Sequence, residues 1–183
     1  MVRIAAGQKQ ETFFMKWNLL NQRIGLALGG GAGKGIAHIG VLQVFEEKSI
    51  EVDCIAGTSI GALVASYYAF GKPIDDIKKV GAGLSFSSMI GFSIQKKGFF
   101  TTKSIRDMIL HDLGNVNIED ALIPLAISTT DILSGENVIL RSGNLADAVC
   151  ASTAVPGIFV PVEINGRTLV DGGITENVPV SAL

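Results

Sequence analysis

The sequence predicts an α/β domain, a mostly parallel β-sheet with helices covering both faces. Two patterns and one bulk property carry this. Through the first half, apolar runs of strand length alternate with stretches whose apolar residues recur at helical spacing. The joints between them, at residues 29–35 and around 57–61, are short and glycine-rich. Of 183 residues, 48% are hydrophobic and only 17% charged, which supplies a sizeable core and argues against disorder over most of the chain. One domain is expected over residues 23–183, after a leader of residues 1–22.

Residues 1–22 are mixed polar, then carry Phe13, Phe14, Met15, Trp17, Leu19 and Leu20. They read either as a segment touching a membrane surface or as a frayed leader whose aromatics pack on the domain, and the second reading is favoured. Residues 23–28 (RIGLAL) form a first strand. The loop 29–35 follows, then a helix carrying Ile36, Ile39, Val41, Leu42 and Phe45 to about residue 48. A second strand is expected at 52–56 and a second helix at 60–70, ended by Gly71-Lys72-Pro73.

A short helical piece at 74–80 leads into residues 80–95 (VGAGLSFSSMIGFSIQ), which hold no charge. They read either as a mobile apolar cover over a site or as irregular core. Ile105, Met108, Ile109 and Leu113 share one face of a helix over 102–113. Asn117 caps a turn through residue 122. Residues 124–130 (PLAISTT) form a strand, and 131–141 a turn and a further strand with Ser134-Gly135-Glu136-Asn137 at the tip. Asn144 caps a helix to about residue 151, and 152–161 is a loop. Asn165-Gly166 suits a type I′ turn joining strands at 162–164 and 167–170, the second of which delivers Asp171-Gly172-Gly173.

The formal net charge of −2, without a basic cluster, argues against nucleic acid as a partner. Cys54 and Cys150 sit in apolar surroundings and read as buried free thiols in a reducing, cytoplasmic compartment. No secretory signal is visible. Residues 54–71 lack charge, but Gly57, Ser59 and Gly61 make a buried strand and helix a better account than a membrane span. No metal-ligand spacing is present, and oligomeric state is not legible.

The candidate chemistry starts at Ser59. Residues 54–63 read as strand, very short turn and helix, and the turn spells Gly-x-Ser-x-Gly, which lifts a serine hydroxyl clear of the sheet at a helix amino terminus. Gly57 and Gly61 remove side chains that would crowd the bend. The loop at 29–35 exposes backbone amides and suits an anion. Its spacing counts against a nucleotide loop. Leu28 stands where the first glycine of a phosphate loop belongs and Gly35 where its hydroxyl belongs, and Gly-x-Gly-x-x-Gly fails in every register. The amides instead suit an oxyanion formed during acyl transfer. Sheets of this kind place their sites at the carboxyl ends of the strands, where the loop, Ser59 and Asp171 are all expected.

The order of these pieces resembles the patatin-like phospholipase family. The matching segments are GGGAGKGIAHIGVL (29–42), AGTSIGAL (56–63), ASTAVPGIF (151–159) and LVDGGITENVPV (169–180), and they cover about residues 24–180. The resemblance implies a three-layer α/β/α fold and hydrolysis of lipid acyl esters by a serine-aspartate dyad without a cofactor or metal. By position, Ser59 is the nucleophile and Asp171 the base. The oxyanion amides fall on Gly31 and Ala32, with Gly30 beside them. Ala32 stands where the family carries a third glycine, and an alanine takes a positive φ only at a cost. Lys34 reads either as a residue that orients the loop or binds an anionic head group, or as a solvated lysine at a helix start. Leu183 stops ten residues after Gly173, where the family continues into further strand and helix, so the domain is expected to be truncated at its C-terminal end.

An aspartate is a weak base for a serine hydroxyl unless desolvation raises its pKa from about 3.9. The oxyanion site must then supply the larger share of catalysis. His38, one turn into the first helix, reads as a packed helix residue and His111 as a helix-end residue. Three alternatives stay open at this level: an acyltransferase or thioesterase on the same dyad, a catalytically weak regulatory or binding protein, and a nucleotide-binding module.

Overall fold

The computed structural model describes residues 23–83 and 102–183. The aromatic run at 13–20 and the greater part of the uncharged stretch 80–95 therefore lie outside the described residues.

β1 (Gly25–Leu28), β2 (Cys54–Thr58) and β3 (Leu125–Asp131) are parallel neighbours. Between β1 and β2, a 3₁₀ turn (Ala32–Gly35) runs into α1 (Ile36–Glu47). Between β2 and β3 lie α2 (Ile60–Ala69), α3 (Ile74–Gly83) and α4 (Lys103–Asp112). This half is parallel, as the alternating pattern predicts. The second half is antiparallel. β4 (Asn137–Leu140) pairs with one edge of β3. α5 (Leu145–Ser152) follows, its first turn capped by Asn144, whose side chain accepts the Asp147 N–H at 3.1 Å. β5 (Val162–Ile164) and β6 (Arg167–Asp171) form the hairpin around Asn165 (φ 52°) and Gly166 (φ 76°), the pair of positive φ values that a type I′ turn needs.

Every residue of β3 is buried, as befits the centre of a covered sheet. Side chains alternate between its faces. Ile55 and Ile127 join Leu63, Tyr67, Ile109, Leu145 and Val149 from the helices in one core. Ala56 and Ala126 point the other way and meet Ala182 from the 3₁₀ turn Val180–Ala182. Among the described residues, helices pack on one side of the sheet and that short turn lies on the other. The uncharged run 54–71 is divided between β2 and the nearly wholly buried α2. No helix among the described residues is long and apolar enough to cross a membrane. Cys54 and Cys150 are free thiols.

Candidate active site

Strand register brings Ser59 and Asp171 together. Residues 127–130 of β3 use one edge to pair with β4. The opposite edge is shared: β2 takes Leu125 to Ser128, and β6 takes Thr129 to Asp131 from the other direction. Thr58 pairs with Ser128, and Asp171 with Thr129, on consecutive rungs. The carboxyl ends of β2 and β6 therefore abut, and the chain turns off β2 at Ser59 directly beside Asp171.

That turn is tight. Ser59 has φ 54° and ψ −123°, a strained backbone for a non-glycine residue and the geometry of a nucleophile elbow. The flanking glycines are required by close approach rather than by φ. A Cβ at Gly61 would lie 2.0 Å from the Leu28 carbonyl oxygen, and one at Gly57 would lie 2.4 Å from the Ala62 Cα. A buried side chain holds the elbow. The Ser59 N–H donates to Ser152 Oγ at 2.8 Å, and Ser152 Oγ donates to the Ser128 carbonyl at 2.7 Å. Ser152, at the end of α5, thus ties the elbow to the central strand.

The Ser59 hydroxyl donates to Asp171 Oδ2 at 2.6 Å, and the Gly173 N–H donates to Asp171 Oδ1 at 2.8 Å. Both carboxylate oxygens are engaged, so the side chain is fixed in direction. A Cβ at Gly172 would come within 2.4 Å of the Ser128 carbonyl oxygen, which is why glycine follows the aspartate. Burial pushes the Asp171 pKa up, while the bonds from Ser59 and Gly173 pull the other way. The net direction is upward, toward a better base.

The glycine-rich loop arches beside this pair. Gly31 has φ 146°, and Ala32 adopts φ 49° despite its Cβ. The Gly30 N–H donates to the Asn177 carbonyl at 3.0 Å, so that amide is committed to holding the loop. The N–H groups of Gly31 and Ala32 make no hydrogen bond among the described residues. His38 Nε2 lies 2.8 Å from the Gly29 carbonyl oxygen, so His38 braces the loop from α1. His111 is exposed and bonded to Asp112. Lys34 is exposed and stands outside the cavity wall.

A cavity of about 290 Å³ opens over the pair. Gly30, Gly31, Ala32, Ser59, Asp171 and Asn177 form its polar end, and Ile60, Leu63, Ile105, Val155 and Phe159 its apolar wall. An acyl chain suits such a wall, and two unpaired amides beside a serine suit the carbonyl at its head. Among the described residues no group of three or more His, Cys, Asp and Glu side chains is placed to hold a metal ion. Sequence reasoning gave no role to Ser152 or Asn177. Both lie inside segments that carry the family resemblance, but their contacts are tertiary and no local pattern announces them.

Comparison with known proteins agrees with this architecture. A family model described as patatin-like phospholipase matches residues 26–183. An uncharacterised NTE family protein of Mycobacterium tuberculosis is 36% identical over 164 residues, covering 88% of this chain and 45% of its own length. Lysophospholipase NTE1 of Saccharomyces cerevisiae is 35% identical over 174 residues, covering 90% of this chain and 10% of its own length. The chain thus spans less than half the length of these curated relatives. VipD from Legionella pneumophila aligns over 86% of this chain and 47% of its own, with a TM-score of 0.67 at 19% identity. The type III effector ExoU aligns over 74% of this chain and 40% of its own, with a TM-score of 0.51 at 18% identity. At such identities these two structures speak for the fold alone. The extent of the model match and the identity to the relatives decide the assignment: the chain belongs to the patatin-like phospholipase family.

Proposed function

We propose that this domain is a lipid hydrolase that cleaves acyl esters through a Ser59-Asp171 dyad. The observation that carries the reading is the 2.6 Å hydrogen bond from the Ser59 hydroxyl to a buried, raised-pKa aspartate, at the polar end of an apolar cavity. Family membership and the fungal relatives named lysophospholipase support a lipid ester as substrate.

Ser59 Oγ attacks the acyl carbonyl carbon as its proton passes to Asp171 Oδ2. The carbonyl oxygen takes up the negative charge and is met by the N–H groups of Gly31 and Ala32, each donor being worth roughly 10²–10³ in rate. The ester C–O bond then breaks, and Asp171 returns the proton to the departing alcohol. Water repeats the sequence on the acyl-serine, giving up a proton to Asp171, and releases the fatty acid. Gly30 serves by its missing side chain and by holding the loop through Asn177. Lys34, exposed beside the loop, is left to meet an anionic head group outside the cavity.

The test is release of fatty acid from lysophosphatidylcholine, and from a short-chain nitrophenyl ester, by the purified chain and by Ser59→Ala. The reading expects turnover by the first and background by the second. Equal turnover by both would overturn it.

A further inference from the structure

Four polar side chains line the cavity: Ser59, Thr153, Asp171 and Asn177. Three are already engaged. Ser59 and Asp171 bond each other, and the Thr153 hydroxyl donates back to the carbonyls of Val149 and Cys150. The Asn177 carboxamide makes no hydrogen bond among the described residues, although it carries two N–H donors and an acceptor.

Its position is a built one. A Cβ placed on Gly30 would lie 2.8 Å from Asn177 Oδ1 and 3.2 Å from the Ser59 Cβ. A Cβ placed on Gly173 would lie 3.3 Å from Asn177 Oδ1 and 3.0 Å from Asp171 Oδ1. The carboxamide thus sits between two residues that lack side chains, one flanking Ser59 and the other Asp171. The Asn177 backbone, meanwhile, fixes the glycine-rich loop by accepting the Gly30 N–H. The loop and this residue are therefore joined by a backbone hydrogen bond, and the carboxamide, whose nitrogen and oxygen exchange places by a half-turn of its terminal torsion, lies beside Ser59 and Asp171.

We propose that the Asn177 carboxamide is a catalytic residue: it donates an N–H to the carbonyl oxygen of the bound acyl ester as that oxygen becomes an oxyanion, beside the amides of Gly31 and Ala32. This rests on the acyl-hydrolase reading above. A neutral side-chain donor suits the site because both neighbouring backbone amides come from one loop, and a third donor, carried by the segment that follows Asp171, adds to the charge they can meet. The Asp171 strand thereby supplies both the base and, six residues later, a charge-stabilising group.

The test uses Asn177→Ala and Asn177→Asp on the nitrophenyl ester. Residue 177 is exposed, and its backbone bond to Gly30 does not depend on the side chain, so both variants should fold and melt like the parent. Loss of a donor used only in the transition state lowers kcat by at least about tenfold with KM little changed. The aspartate variant, which cannot donate and brings negative charge, should fall further than the alanine variant. An unchanged kcat in a folded Asn177→Ala chain, or a rise in KM alone, would overturn the assignment while leaving the hydrolase reading intact. If the parent chain itself shows no turnover and Ser59→Ala changes nothing, the hydrolase reading fails and this inference with it.

Discussion

Asp171 accepts the Ser59 hydroxyl at 2.6 Å because β2 and β6 meet end to end along one edge of β3. The two residues are 112 apart in sequence, yet neither needs a long side chain to reach the other. Both are held by a hydrogen bond from a backbone N–H: that of Ser59 donates to Ser152 Oγ, and that of Gly173 donates to Asp171 Oδ1. Geometry of this kind is pre-organised, which is what a weak base must rely on.

Asp171→Asn should reduce ester turnover by at least about 10², because an amide cannot take the serine proton. The fold should not suffer. Burial raises the folded pKa of Asp171, so its protonated form favours the folded state. That contribution is complete below the unfolded pKa of about 3.9 and is lost as pH rises through the higher folded value. At pH 7 the buried charge is a cost, and the melting temperature of the asparagine variant should equal or exceed that of the parent. The acidic limb of the parent's rate profile should be displaced upward from that of an unperturbed aspartate.

His38→Gln combined with His111→Gln should keep turnover within about tenfold, far less than the loss of a general base costs. Glutamine can still donate to the Gly29 carbonyl that His38 now braces at 2.8 Å. A rate profile with a limb near about 6.5 that vanishes in this variant would point to a histidine base instead.

Ala32→Gly should stabilise the chain. Ala32 sits at φ 49°, a conformation costing an L-residue roughly 1–2 kcal/mol. Glycine relieves that but gives back about 0.4–1 kcal/mol through the freer unfolded chain. The net gain of up to about 1.6 kcal/mol corresponds to a rise of at most roughly 3–6 °C in melting temperature. The N–H is retained, so turnover should be kept.

Ser152→Ala should leave the part-buried N–H of Ser59 without its acceptor and destabilise the chain by about 1 kcal/mol, read from denaturant unfolding. Turnover should fall as well, since the strained elbow loses its tie to β3.

The elbow was legible in the sequence because its glycines answer to local crowding: Gly57 and Gly61 are needed where the chain passes over itself. The Asn165-Gly166 hairpin was legible for a similar reason, since two positive φ values restrict residue choice. Strand ends were less so. β2 was expected at 52–56 and runs over Cys54–Thr58, because it continues straight into the elbow. The shared edge of β3 could not be read at all, since it pairs Thr58 and Asp171 with residues far from both in sequence. Ser152 acts on a residue 93 positions away, and Asn177 meets the glycine-rich loop across the fold, so neither carries a local signature. The committed amide of Gly30 was invisible for the same reason.

The most direct test of the account is the site of covalent labelling by a fluorophosphonate, mapped by mass spectrometry on the purified chain. A single adduct is expected on the peptide containing Ser59, formed slowly in Asp171→Asn and absent in Ser59→Ala. An adduct on another residue, or labelling of the parent no faster than of Ser59→Ala, would contradict it.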